Sequence, residues 1–97
     1  CTNINFTILD NYTTLVINKN LADANDILYD LYDKGYSVID IYDNYFLYVK
    51  TTTLLTETNK YEIIKLLCKY ITFFHNIHED EIELSLFTNN VIQLLSN

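Results

Sequence analysis

His75 and His78, followed at once by Glu79, Asp80 and Glu81, are the one place in this chain where metal-ligating side chains crowd together. Two imidazoles and a carboxylate suit zinc if the backbone brings them to one point. The group straddles an expected turn between two helices, however, and no second cluster completes a closed site. Carboxylates at the start of a helix also complement the positive end of its dipole, which accounts for the acidic run without a metal. No metal site is expected.

The other residue types with chemical potential lack a pattern. Asp23, Asp26, Asp30 and Asp33 recur at helical spacing, which makes them the solvated stripe of a helix rather than a carboxylate pair poised for hydrolysis. There is no Gly-x-Ser-x-Gly nucleophile turn, and one glycine in 97 residues cannot build a phosphate-cradling loop. Tyr29, Tyr32, Tyr42, Tyr45 and Tyr48 could stack on nucleic acid bases, but they lack basic neighbours, so core and protein-contact roles are expected. The chain holds 13 acidic and 6 basic residues for a net charge of −7, with its lysines scattered from Lys19 to Lys69. Affinity for nucleic acid comes mainly from neutralising phosphates, so direct DNA binding by this piece is not expected. Neither a catalytic residue nor a bound cofactor is expected in it.

Five helices account for nearly the whole chain, and the expected fold class is an all-α five-helix bundle forming a single domain over residues 1–97. The first runs from about Phe6 to Ile17, capped by Asn3 or Asn5, with Ile8, Leu9, Tyr12, Leu15 and Val16 inward. Its β-branched end, Thr13 to Ile17, leaves a strand as a competitor. Asn20 caps the second helix, which reaches Lys34 with Ala24, Leu28, Leu31 and Tyr32 on one stripe. Gly35 stops it, and Ser37-x-x-Asp40 opens the third as a capping box, giving a tight helical hairpin. The third spans Val38 to Lys50, with Val38, Ile41, Tyr42, Tyr45 and Val49 inward. Thr56 caps the fourth, Glu57 to about His75, whose stripe is Ile63, Ile64, Leu67, Tyr70, Ile71 and Phe74. The fifth, about Asp80 to Leu95, turns Leu84, Phe87, Val91, Leu94 and Leu95 to the core.

Composition sets further bounds. Hydrophobic residues make up 49% of the chain, enough for one core and against disorder. The absence of proline and the lone glycine disfavour a barrel or sandwich of many short strands. There is no methionine, so the chain is expected to be a piece of something longer. There is also no arginine, hence no bidentate clamp for phosphate or carboxylate. Cys1 and Cys68 are too few for a disulfide framework, and Cys68, beside the apolar stripe, is expected to be a buried free thiol in a reducing, intracellular compartment. No apolar run is long enough to cross a membrane, and no membrane partner is expected.

Some apolar residues fall off the inward arcs: Leu47 and Tyr48 on the third helix, Leu66 and Phe73 on the fourth, Leu86 and Ile92 on the fifth. Six such residues on three helices point to a surface that faces another protein.

The order of these parts resembles a known family. The run from Asn25 to Ile41 (NDILYDLYDKGYSVIDI) is similar to the helix–glycine–helix unit in the C-terminal domain of replication factor C small subunits, the sliding-clamp loaders. The closing run from Glu79 to Ser96 (EDEIELSLFTNNVIQLLS) resembles their final helix, and Leu55, Thr56, Lys60, Ile63 and Leu67 fall in register between the two. The likeness covers about residues 4 to 97 and is closest to the fourth small subunit. It departs at Asn76-Ile77-His78, where the family often has glycine. The resemblance implies a collar domain that packs against the equivalent domains of other replication factor C subunits to hold a hetero-pentameric ring. It implies that ATP and Mg²⁺ bind in upstream AAA+ domains absent from this chain, and that the full complex meets the sliding clamp and primer–template DNA in the nucleus. The rival expectation is an unrelated helical module for protein–protein interaction.

Overall fold

The computed structural model describes residues 3–76 and 81–96, and the side chains of all of these except 73–76. Its elements are α1 (Phe6–Ile17), α2 (Leu21–Asp33), α3 (Val38–Thr51), α4 (Glu57–Asn76) and α5 (Ile82–Leu95). No strand occurs among the described residues. The β-branched end of α1 is helical, because Thr13 and Val16 are buried where a helix, not a strand, carries them together against the rest of the core.

The helix ends follow from local chemistry. Asn5 accepts from the Thr7 amide and starts α1, and Thr56 accepts from the Asn59 amide at the start of α4. At α3 the Asp40 amide donates to Ser37 Oγ at 3.0 Å while the Ser37 amide donates to Asp40 Oδ2 at 3.3 Å, which completes the capping box. Helix α2 ends with Gly35 at φ +107°, its amide on the Tyr32 carbonyl and the Tyr36 amide on the Leu31 carbonyl. That pair of bonds is the Schellman stop. Helix α1 ends in the same way without glycine: Lys19 takes φ +62°, the Lys19 amide donates to Val16 and the Asn20 amide to Leu15. Asn20 then caps α2 through the Asp23 amide, so one residue closes a helix and opens the next.

Packing differs from the expected single hairpin at Gly35. The closest neighbours are α1 with α2 and α3 with α4, and α5 lies across α2, α1 and α4. The Gly35 turn therefore joins two hairpins instead of making one. Helix α2, whose buried stripe is Ala24, Leu28 and Leu31, meets α1 and α5 more extensively than it meets α3.

Edge-on and stacked rings tie the layers together. Phe6 meets Tyr48, Tyr48 stacks on Tyr45 with ring centroids 5.5 Å apart, and Tyr45 meets Tyr12 edge to face. Phe87 on α5 touches Tyr45 and Tyr42 on α3 and Tyr70 on α4. Each such contact adds about 0.5–1.5 kcal/mol beyond the burial of its area. The hydroxyls do not go unpaired. Tyr12 bonds Thr88, Tyr45 bonds Thr13 at 2.8 Å, and Tyr42 donates to the Glu83 carbonyl at 3.1 Å.

Candidate assembly surface

The tyrosines considered for base stacking mostly serve the core. Tyr42, Tyr45 and Tyr48 are buried, whereas Tyr29 and Tyr32 are half-buried at its margin. Burial is the main cause that pushes the hydroxyl pKa of Tyr12 and Tyr45 above the ordinary tyrosine value; at Tyr45 the neighbouring Tyr12 and Tyr48 hydroxyls push the same way, and the hydrogen bonds to Thr88 and Thr13 pull the other way. The aspartate stripe of α2 is solvated throughout, with Asp30 paired to Lys34 at 2.9 Å on the open surface. His78, Glu79 and Asp80, and the side chain of His75, lie outside the described residues. Among the described residues no group of three or more His, Cys, Asp or Glu side chains gathers. None of the described helices is long and apolar enough to cross a membrane.

The six outward apolar residues separate into distinct cases. On α3, Leu47 points about 180° away from the buried stripe and is 52% exposed. Tyr48, only about 80° from that stripe, turns toward α1 and is 2% exposed. It belongs to the core, not to the surface, because its ring lies between Phe6 and Tyr45 and its hydroxyl donates to Asp10 Oδ1 while accepting from Thr52 Oγ1. Nothing local in the sequence shows that Asp10 waits 38 residues away to take that proton. Leu86 is 48% exposed on the far side of α5. Leu66 and Ile92 are half-buried, and the side chain of Phe73 is outside the described set.

Cys68 is exposed, contrary to the buried thiol expected. It sits about 100° from the centre of the α4 stripe, and so does Leu66 on the opposite flank. The two flanks are unequal because α5 covers one of them: Leu66 lines grooves there with Tyr70, Glu83 and Asn90, and with Leu94. Further exposed apolar side chains escaped the sequence reading, among them Phe6, Leu54, Tyr61 and Ile82. Phe6 and Leu54 flank a groove with Asp10 and Thr52, and Leu47 shares another with Asp43, Phe46 and Ile71 between α3 and α4. Helix-end residues such as Phe6 and Ile82 fall outside a periodicity argument, which needs full turns on both sides.

A set of helical hairpins whose buried hydroxyls are taken up by core and capping bonds, whose α2 aspartates are solvated and whose outer faces keep exposed leucines is suited to packing and assembly. The chain belongs to the replication factor C C-terminal domain family, whose match spans residues 7–96, from the first turn of α1 to the end of α5. No curated protein and no solved structure matches it. The family match identifies the C-terminal region of a replication factor C subunit, a domain that assembles with other subunits of that complex. It fills nearly all of the 97 residues, so the ATPase module of such a subunit is not among them.

Proposed function

We propose that this domain is the collar of a small subunit, the fourth by resemblance, and that it holds its place in a hetero-pentameric clamp loader. In this reading the parent protein carries AAA+ domains upstream that bind ATP and Mg²⁺. The ring uses their turnover to place a sliding clamp on primer–template DNA in the nucleus. This piece contributes cohesion between subunits, not turnover. The observation that carries the reading is the family match over residues 7–96, and exposed Leu47 and Leu86, with half-buried Leu66 and Ile92, supply apolar contacts suited to it. The rival, an unrelated helical adaptor, loses its footing to that match.

Co-expression of the full-length protein with its neighbouring subunits, followed by native mass spectrometry, tests the reading. A stoichiometric ring is expected, together with its loss in a Leu47→Asp/Leu86→Asp variant that still folds. A full-length protein that stays alone in the presence of all partner subunits overturns it.

A further inference from the structure

The outer stripe of α3 carries Asp43, Phe46, Leu47 and Lys50 at successive turns. Asp43, Phe46 and Leu47 line an apolar groove with Ile71 of α4, and Lys50 Nζ lies 5.5 Å from the centre of the Phe46 ring. Among the described residues neither Asp43 nor Lys50 has an ion-pair partner. The two charges sit seven residues apart, about 10 Å along the axis, with the apolar pair midway between them.

This order is its own complement. Turned through a two-fold axis passing between Phe46 and Leu47, the stripe sets each Asp43 against the Lys50 of the other copy. The same operation brings Leu47 and Phe46 of both copies together across the axis. A two-fold interface requires that when one residue meets a second, the second also meets the first, and these four residues satisfy that without any rearrangement. The stripe is also locally neutral in a chain of net charge −7, so it is a place where two copies can approach without like charges meeting. The aspartates of α2 lie on another helix.

We infer that the α3 stripe is a self-association surface, on which a second copy of this chain docks antiparallel through Leu47 and Phe46 with reciprocal Asp43–Lys50 pairs. Four residues on each side make a small patch, so the dimer is weak. It shares Leu47 with the contacts proposed for ring assembly, so it forms when the partner subunits are absent and gives way when they bind.

Sedimentation equilibrium of the purified chain over a wide concentration range provides the test. A concentration-dependent dimer is expected, with amide protection gained across residues 43–50. Asp43→Lys alone puts lysine against lysine, and Lys50→Glu alone puts glutamate against aspartate, so each weakens the dimer about tenfold. Mixed together, the two single variants pair as a heterodimer of near-native affinity, and so does the double variant with itself. Both positions are on the surface, so circular dichroism is expected to be unchanged. The inference is overturned by a monomer at every concentration, by single variants that dimerise as well as the native chain, or by a mixture no better than its components. Protection of residues 43–50 only by a purified neighbouring subunit also overturns it, and assigns the groove to that subunit.

Discussion

The Tyr12 hydroxyl on α1 donates to Thr88 Oγ1 on α5, 3.0 Å away across 76 residues of sequence. The direction is fixed because Thr88 has one proton and gives it to the Leu84 carbonyl, also at 3.0 Å. Both residues are wholly buried. Thr88→Val therefore strands a buried donor and is expected to cost about 1–3 kcal/mol, whereas Tyr12→Phe removes only a donor from a threonine still bonded and costs about 1 kcal/mol. The double variant is less destabilised than the sum of the two. Urea unfolding of all three measures the ranking, and Tyr12→Phe costing more than Thr88→Val defeats it.

Alkaline pH acts on the same core. Tyr12 and Tyr45 have their pKa values raised by burial in the folded state, while in the unfolded chain they ionise near the ordinary value of about 10. Their contribution is complete below that value. As pH climbs through it the unfolded state releases protons that the folded state keeps, and stability falls by about 1.4 kcal/mol per pH unit for each tyrosine. Urea midpoints at rising alkaline pH should show this decline, and a shallower one in Tyr12→Phe. An unchanged slope in that variant counts against the buried hydroxyl as its source.

Two turns give opposite predictions for glycine. Gly35 has φ +107° with no atom within 4 Å of where a Cβ stands, so Gly35→Ala costs backbone strain alone, about 1–2 kcal/mol. Lys19 holds φ +62° with a full side chain, and Lys19→Gly is expected to stabilise by up to about 1 kcal/mol. Thermal unfolding followed by circular dichroism reads both signs. A loss of stability in Lys19→Gly is the contrary result.

Neighbours in sequence should respond differently on α3. Leu47→Asp is expected to change stability by less than about 0.5 kcal/mol, whereas Tyr48→Ala opens the contact between α1 and α3 and costs about 3–5 kcal/mol. Equal losses in urea unfolding would contradict the burial of one and the exposure of the other.

Thiol chemistry offers a quick check of α4. Cys68 is exposed, so it should react with a maleimide in the folded chain at a rate close to that in urea. Strong protection in the native state is the outcome that fails.

Much of the fold was legible because its signals are local. Asn5, Asn20, Ser37 with Asp40, Gly35 and Thr56 mark helix ends through bonds made within a few residues, and the stripes of α2 and α3 show in their periods. What stayed hidden depends on distant partners. Tyr48 and Leu47 look alike as apolar residues off a stripe, and only the approach of Phe6 and Asp10 from α1 separates them. Cys68 and Leu66 flank one stripe equally, and only the side on which α5 lies tells them apart. The pairing of hairpins was hidden for the same reason: a short turn announces that two helices are joined, not that they are each other's main neighbours.

Phe87 meets rings from α3 and α4, and Thr88 beside it receives α1. The fifth helix is thus the one on which both hairpins converge, and it emerges from the ribosome after all the others. Until it does, the nascent chain presents a bare tyrosine seam to water, the kind of surface that chaperones cover. Translation halted before Phe87 should yield an aggregation-prone stub rather than a smaller working domain.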